Sequence, residues 1–272
     1  LGEPVIREAL KKAMALIGRQ FVLGETVAEA LRHAEPYAKR GYRFSFDILG
    51  EGARSDAQAQ AYVRAYRDGI ALVGRSVPKN TPLFEAPGMS VKLSALHARY
   101  QLTQRERVMN ELLPRLKEIL LAAKQAGIVV AIDAEESSRL DVEMLLFERL
   151  LEDRDFVGWN GIGFVVQAYQ KRAIYLIDRL AALAHKHQRV IPLRLVKGAY
   201  WDSEIKWAQM LGLPSYPVFT RKEHTDLSFL ACADKMLAHR EAFFPQFATH
   251  NARTVAGIME LAARGGWEKG AY

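Results

Sequence analysis

Hydrophobic and polar positions follow a helical period over the first part of the chain. One amphipathic segment runs from about Pro4 to Leu23, and Gly24 then breaks the pattern. A second helix begins after Gly24, where Thr26 and Glu29 have the spacing of a capping box. The pattern therefore predicts an N-terminal helical arm over residues 1–40.

From residue 41 to residue 272, short β-rich runs alternate with longer helical segments. The predicted strands are 44–48, 89–93, 128–133, 161–167, 190–196 and 247–250. The predicted helices are 55–73, 103–126, 140–151, 171–187, 203–211 with 225–240, and 254–263. Ser55-x-x-Gln58 and Thr103-x-x-Glu106 supply two further capping signals. Alternation of this kind predicts parallel strands joined by right-handed crossovers.

The alternation favours a (βα)8 barrel of the TIM type over a Rossmann fold, because no G-x-G-x-x-G follows the first strand. A closed barrel needs eight strand–helix units, and the pattern supplies about six before the chain ends at Tyr272. We therefore expect an α/β fold that is a barrel truncated to about six units. Because the chain also begins at Leu1, we expect it to be a piece of a longer protein.

Composition restricts the class of protein but not its chemistry. The net charge is +7, yet basic and acidic residues are interspersed, so a nucleic-acid interface is not indicated. No apolar run approaches the length of a membrane span. The single cysteine, Cys232, excludes an internal disulfide framework and favours a reducing compartment. Its simplest interpretation is a small buried apolar residue.

Polar residues lie at the carboxyl ends of the predicted strands, which is where the active site of a barrel enzyme is found. They are Lys92; Asp133, Glu135 and Glu136; Gln167; Arg194 and Lys197; and Thr249, His250 and Asn251. Arg194 alternates with Leu193 and Leu195 on an apolar strand, so its guanidinium requires an anion within reach. Asp133, Glu135 or an electron-rich ligand could supply that anion. The strand ends therefore predict one shared site for a ligand with polar groups.

Other kinds of site fit the sequence less well. His250 could bind a metal, but no other histidine ends a predicted strand, and a metal needs three or four ligands. A Ser–His–Asp triad lacks the G-x-S-x-G elbow. The Lys197-Gly198 turn would let the backbone approach a phosphate or a flavin edge, or it could be a simple barrel turn.

At these positions the chain resembles the proline dehydrogenase family, in the form found in the bacterial bifunctional proline utilization A flavoenzymes. The motifs that carry the resemblance are FDILGE (46–51), SVKLSALH (90–97), IDAEE (132–136), LRLVKGAYW (193–201), TRK (220–222) and ATHN (248–251). The resemblance implies a barrel over residues 41–272 that binds FAD without a covalent bond. It also implies oxidation of L-proline to Δ1-pyrroline-5-carboxylate, the first step of proline catabolism to glutamate. Electrons then pass to a membrane quinone.

The resemblance assigns roles to individual residues. Asp133 is a carboxylate of the catalytic site, and Arg194 lies near the flavin N5. Lys92, Tyr200 and Glu51 contact the substrate or close the site over it. The residues expected to contact FAD are Ala134, Gln167, Arg194, Lys197, Gly198, Ala199, Tyr200, Trp201, Lys222, Thr249 and His250. No metal is implied.

The resemblance also implies partners and a location. The partners are an aldehyde dehydrogenase domain in the same chain and a quinone acceptor, and the location is cytoplasmic with peripheral contact at the inner membrane. The family carries two further strands and a last helix with an arginine pair that clamps the proline carboxylate. The present chain stops at Tyr272, before these elements, so we expect it to oxidise proline weakly or not at all by itself.

Two alternatives remain open at this point. One is a Schiff-base aldolase on the same barrel, with Lys92 as nucleophile and Asp133 or Glu135 as proton shuttle. It leaves Arg194 and the Lys197-Gly198 turn without a role. The other is a non-enzymatic barrel segment that serves as a structural or regulatory part of a longer chain.

Overall fold

The computed structural model describes residues 2–18, 22–268 and 270–272. Six parallel strands form a single sheet in the order β1-β2-β3-β4-β5-β6. Their bounds are β1 Ser45–Asp47, β2 Gly88–Val91, β3 Val130–Ile132, β4 Ile162–Gln167, β5 Ile191–Val196 and β6 Phe243–Phe247. The order is sequential, as expected for a barrel in which each crossover returns beside the preceding strand.

Eleven α-helical segments accompany the strands in this part of the chain. They are α1 Glu3–Gly18, α2 Val27–Ala38, α3 Asp56–Ser76, α4 Leu93–Leu96, α5 Arg105–Arg107, α6 Leu113–Ala126, α7 Leu140–Glu152, α8 Ala173–His187, α9 Trp201–Met210, α10 Lys222–Ala238 and α11 Ala252–Arg264. Short 3-10 turns lie at Leu102–Gln104, Ser137–Arg139 and Arg154–Phe156. None of the described helices is both long and apolar enough to cross a bilayer.

The sheet is curled, so strands at its two ends face each other across an interior. Arg194 on β5 donates to Ser90 on β2 and to Ser45 on β1, each at 2.9 Å. A flat sheet would separate β1 and β5 by four inter-strand spacings of about 4.8 Å each. The fold is therefore a half-barrel of the TIM type, which confirms the predicted fold class. A core of aliphatic and aromatic side chains fills the space between the strands and the outer helices.

The helical arm agrees with the sequence pattern where the structure describes it. Thr26 caps α2, because its hydroxyl accepts the backbone N–H of Glu29 at 3.2 Å. Ser55 caps α3 in the same way through Gln58, also at 3.2 Å. The helix predicted from Pro4 to Leu23 is observed as α1, which ends at Gly18, and residues 19–21 lie outside the described part.

Two sequence-based boundaries were wrong near residues 89–126. The second strand was predicted to include Leu93, but Leu93 begins the short helix α4. The Thr103 cap does not form: a 3-10 turn, α5 and a π-helical turn at Val108–Leu112 precede α6. Pro114 is the second residue of α6, where its missing N–H is tolerated, and the π-helical turn directly before it avoids a regular helical bond to this position.

The sixth strand was predicted over residues 247–250, but β6 covers Phe243–Phe247. Pro245 lies inside it, and a proline within a run argues against a strand. The Ala248 N–H donates to the Leu195 carbonyl on β5, and alternate residues of a strand donate to the same neighbour, so the position of Pro245 needs no N–H for pairing with β5. Likewise, α9 and α10 begin at Trp201 and Lys222, ahead of the predicted residues 203 and 225.

Candidate functional site

A cavity of about 540 Å³ opens at the carboxyl ends of the strands. Its walls come from residues of β4 and β5 and from the segments that follow β1, β2, β3, β5 and β6. The lining residues are Glu51, Lys92, Asp133, Ala134, Val165, Gln167, Arg194, Val196, Lys197, Gly198, Ala199, Tyr200 and Ala248. The cavity thus brings together most of the side chains that the strand-end pattern placed in one site.

Arg194 points into the interior and donates mainly to uncharged groups. Besides the hydroxyls of Ser90 and Ser45, its Nε donates to Gln246 Oε1 at 3.2 Å. The nearest carboxylate oxygen is Asp133 Oδ1, at 3.7 Å from Nη1. The side chain is 19% exposed. Because this charge is fixed in place and only loosely neutralised, the guanidinium can also serve an electron-rich ligand.

Lys92 joins two carboxylates at the strand ends. Its Nζ lies 2.8 Å from Asp133 Oδ2 and 3.4 Å from Asp47 Oδ2. Burial alone would lower the pKa of Lys92, but Asp133 and then Asp47 outweigh that effect and raise the pKa above its ordinary value. Burial also raises the pKa of the Asp47 carboxyl, which Lys92 opposes. Lys92 is therefore held as an ammonium ion, suited to pair with an anion rather than to attack a carbonyl.

The mouth of the cavity is spanned by a hydrogen bond between two loops. The Tyr200 hydroxyl donates to Glu51 Oε2 at 3.0 Å. Burial, followed by the charges of Glu135 and Glu51, raises the pKa of the Tyr200 phenol above its ordinary value. The phenol therefore stays protonated and available as a donor. Glu51 is exposed, so this bond is formed on the solvent side of the site.

The turn after β5 lies close over the end of β4. Gly198 has φ +149°, and a Cβ at this position would lie 2.4 Å from the Tyr169 ring. No side chain fits there, because the Tyr169 ring occupies the space, so this turn requires glycine; Lys197, Gly198 and Ala199 of the turn also line the cavity. Gln167 is buried and bonded at both ends of its amide: Nε2 donates to the Glu135 carbonyl at 2.7 Å, and Oε1 accepts from the Ala199 N–H at 3.2 Å.

Four of the predicted residues do not line the cavity and lie beside it. Trp201 is exposed, and its indole donates to the Phe219 carbonyl at 3.0 Å. Lys222 is also exposed, and it binds Asp226 Oδ2 at 2.6 Å. Thr249 and His250 follow the lining residue Ala248. They lie beyond the end of β6 rather than in the strand, because β6 ends earlier than the sequence indicated.

Sequence reasoning missed several residues that hold the site together. Asp47 ends β1 and binds Lys92, so the strand-end rule would have found it if applied to the first strand as well. Asp226 on α10 binds both Lys197 and Lys222, and hydrogen bonds from these two lysines lower the pKa of its carboxyl. No strand-end signal marks Asp226, because it approaches the site from a helix.

A second group of acids lies behind the cavity. Glu135 is 3% exposed, and burial raises the pKa of its carboxyl against the opposing charge of Arg139. Glu143 on α7 is 2% exposed, and its Oε1 finds no hydrogen-bond partner in the described residues. Burial, then the charges of Glu135 and Asp133, raise the pKa of Glu143 well above its ordinary value of 4.5. Glu143 is therefore favoured as a neutral acid.

Glu143→Gln is expected to change the pH dependence of stability. Because the pKa of Glu143 is raised on folding, its contribution to stability is complete below 4.5 and is lost as the pH rises through the folded-state pKa. Glutamine does not titrate. We expect the Tm of the variant, relative to the parent, to rise by about 2–4 °C between roughly pH 5 and pH 8. Calorimetry at both pH values checks this.

Glu152→Gln on the exposed face of the same helix is the matched control, since Glu152 pairs with Arg149 near solvent. We expect the Tm difference between this control and the parent to be the same at both pH values. A Tm difference for Glu143→Gln that stays constant with pH would contradict the role given to burial.

In the residues that the structure covers, no group of three or more histidine, cysteine, aspartate or glutamate side chains could hold a metal ion. The site is instead a set of cations and carboxylates around an open cavity.

The family model described as "Proline dehydrogenase" matches residues 30–272, which is most of the chain and includes every residue of the cavity. This chain belongs to the proline dehydrogenase family. The match extends through the six strands and the loops that follow them, so the resemblance stated on six short motifs is confirmed across the barrel.

Relatives within the family divide into close and distant groups. The chain is 53% identical over 263 residues to "Bifunctional protein PutA" of Klebsiella aerogenes, a match covering 97% of this chain and 20% of that protein. It is 26% identical to "Proline dehydrogenase 1" of Bacillus subtilis (strain 168), covering 90% of this chain and 68% of that protein. The chain thus spans about a fifth of the length of its bifunctional relatives.

Solved structures of the family share the fold. A mutant of proline utilization A from Bradyrhizobium japonicum matches with a TM-score of 0.85 and 49% identity, covering 97% of this chain and 27% of that one. The Bdellovibrio bacteriovorus protein, inactivated by N-propargylglycine, matches with a TM-score of 0.91 and 28% identity, covering 98% of this chain and 29% of that one. The curled six-stranded sheet is therefore the barrel of the proline dehydrogenase family.

Proposed function

We propose that this chain forms the FAD-binding and substrate-binding core of a longer protein that oxidises L-proline to Δ1-pyrroline-5-carboxylate and passes the electrons on to a membrane quinone. The observation that carries the proposal is the convergence of Lys92, Asp133 and Arg194 in one cavity of a proline dehydrogenase barrel. The product of this reaction enters the catabolism of proline to glutamate.

The substrate side of the cavity is assigned to Lys92, Tyr200 and Glu51. A protonated Lys92 attracts the proline carboxylate and holds it in a fixed direction. Its partners Asp133 and Asp47 keep it charged and orient its ammonium group. Tyr200 and Glu51, joined across the mouth, would limit the access of water to the bound amino acid. Asp133 in this arrangement positions Lys92 and faces Arg194.

The opposite side of the cavity fits a flavin. Arg194 presents a fixed cation that would favour the anionic, reduced form of a flavin bound beside it. The Gln167 amide is buried at the strand end, where it would meet the pyrimidine edge. The turn of Lys197, Gly198 and Ala199 offers backbone with no side chain at Gly198. Bound there, FAD would supply the two-electron chemistry that amino-acid side chains lack.

The remaining predicted cofactor residues extend from the cavity along its rim. Asp226 bridges Lys197, which lines the cavity, to Lys222 outside it. The pair of ammonium groups forms a basic edge suited to phosphate. Trp201 begins α9 directly after Tyr200, and Thr249 and His250 follow Ala248. We assign Lys222, Thr249 and His250 to the ribityl-phosphate and adenylate portions of FAD. Trp201, and Ala134 in the cavity wall, are assigned to other contacts with the cofactor.

A Schiff-base aldolase is less consistent with the same geometry. Its lysine must lose a proton before it can attack a carbonyl. Asp133 and Asp47 instead raise the pKa of Lys92 and keep it charged. The aldolase alternative also gives no task to Arg194.

We further propose that the chain is the proline dehydrogenase part of a longer bifunctional protein that also carries an aldehyde dehydrogenase domain. The support is that the chain spans about a fifth of the length of relatives named as bifunctional proteins. A cytoplasmic location with peripheral contact at the inner membrane would let such a protein meet a quinone. The buried thiol of Cys232 is consistent with a reducing compartment.

The test is spectroscopic and uses the full-length protein that carries this chain. Purified with added FAD, the protein should be yellow, and anaerobic L-proline should bleach its visible absorbance. D-proline is the control and should leave the absorbance unchanged. A dye acceptor should then turn over in proportion to L-proline. A colourless protein, or a yellow one that L-proline does not bleach, would refute the proposal. Borohydride trapping of Lys92 with a carbonyl substrate would support the aldolase instead.

A further inference from the structure

A closed ring of hydrogen bonds joins the five loops around the cavity mouth. The Gly52 N–H donates to Ser94 Oγ at 3.0 Å, and the Ser94 N–H donates to Glu135 Oε1 at 2.9 Å. Gln167 connects the Glu135 carbonyl to the Ala199 N–H, at 2.7 and 3.2 Å. Tyr200, the residue after Ala199, returns to Glu51, the residue before Gly52, at 3.0 Å.

Ser94 has a special place in this ring because it binds two loops at once. Its carbonyl accepts the Ala53 N–H at 2.8 Å, in addition to the Gly52 bond at its hydroxyl. On its other side the Ser94 N–H donates to the carboxylate of Glu135. Burial raises the pKa of this carboxylate, and the charge of Arg139 and then the bond from the Ser94 N–H oppose that effect. Ser94 is 3% exposed, so these bonds are made away from water.

We propose that Ser94 is a positioning residue: it fixes the loop that carries Glu51 against the loop that carries Asp133, and so determines how firmly Glu51 closes the site through Tyr200. Ser94 does not line the cavity and acts only through Glu51. The inference rests on the proposed function for its kinetic readout. Its structural readout, the protection of the Gly52 amide, is independent of that function.

The kinetic test is Ser94→Ala in the full-length protein. Loss of one neutral hydrogen bond that holds the loop should raise the KM for proline about five-fold and leave kcat within about two-fold. Ser94→Cys keeps a weaker acceptor of similar size and should give an intermediate KM. Ser76→Ala is the matched control, because the Ser76 hydroxyl bonds the Val73 carbonyl in its own helix α3, outside the cavity. It should leave KM and kcat unchanged.

A double-mutant cycle separates positioning from a general structural role. If Ser94 acts through Glu51, then Ser94→Ala should have no further effect on KM in a Glu51→Ala background.

Hydrogen exchange gives the second readout. A peptide covering residues 48–55 should exchange faster in Ser94→Ala than in the parent, and at the rate of the parent in Ser76→Ala. Three results would overturn the inference. They are additive effects of Ser94→Ala and Glu51→Ala on KM, a fall in kcat of Ser94→Ala as large as its rise in KM, and exchange of the 48–55 peptide in Ser94→Ala at the rate of the parent. A parent protein that fails to oxidise proline would refute the function, while the exchange result would still decide the role of Ser94.

Discussion

Replacement of Arg194 by methionine is expected to lower kcat/KM for proline by about 10²–10³-fold. Methionine fills a similar volume but removes the fixed cation and three donated hydrogen bonds, to Ser90, Ser45 and Gln246. The proposed reaction places negative charge beside this position, so the loss should fall mainly on kcat. Steady-state oxidation of proline with a dye acceptor, in the full-length protein, measures it.

Two variants control for folding and for charge. Arg189→Met removes another buried arginine near the start of the same strand, where Nη1 donates to the Trp159 carbonyl at 3.0 Å. It should lower Tm and leave kcat near the parent value. Arg194→Lys keeps the charge without the forked donors and should recover part of the rate. Similar kcat values for Arg194→Met and the parent would show that the guanidinium has no part in the reaction.

Lys92→Met is expected to raise the KM for proline about 10²-fold, because it removes a half-buried cation that is proposed to pair with the substrate carboxylate and leaves two carboxylates behind. Asp133 and Asp47 would then face each other and the substrate without their shared ammonium partner. The resulting repulsion acts against an anionic substrate. Bleaching of the flavin absorbance titrated with L-proline would report the weakened binding directly.

The matched control is Lys235→Met, which breaks a lysine–aspartate pair between the outer helices α10 and α8. Lys235 has a side-chain exposure of 30%, against 20% for Lys92. We expect this control to change stability slightly and to leave the KM for proline unchanged. A KM that rises equally in both variants would assign Lys92 a structural role alone.

The hydrophobic pattern and the capping residues were sufficient to predict most helices and strands. The prediction failed where a residue such as Pro245 is unusual for the element that contains it. The helix caps at Thr26 and Ser55 form as the sequence predicts, because a cap depends only on the four residues around it. The position of β6 was wrong because Pro245 reads as a strand breaker. The structure tolerates this proline because the register with β5 requires an N–H from the residues on either side of Pro245 and not from Pro245 itself, and register is a property of the sheet rather than of the five residues in the strand.

In the site, too, local sequence predicted some features and the assembled sheet decided the others. Alternation around Arg194 correctly indicated an interior guanidinium that needs partners. Most of those partners, Ser45, Ser90 and Gln246, are neutral side chains on three different strands, and no local signal distinguishes them from any other serine or glutamine. Trp201, Lys222, Thr249 and His250 lie beside the cavity rather than in it, so their roles toward FAD stay predictions.

By itself the sequence determined the alternation of strands and helices, the polar group at each strand end and, through six motifs, the family. These are properties of short segments, set by side-chain period and by residues adjacent along the chain. Only the tertiary structure decided that Lys92 lies between Asp133 and Asp47, and that Ser94 joins the first and third loops. Such contacts depend on how tightly the sheet curls, and curl is set by packing across the whole barrel.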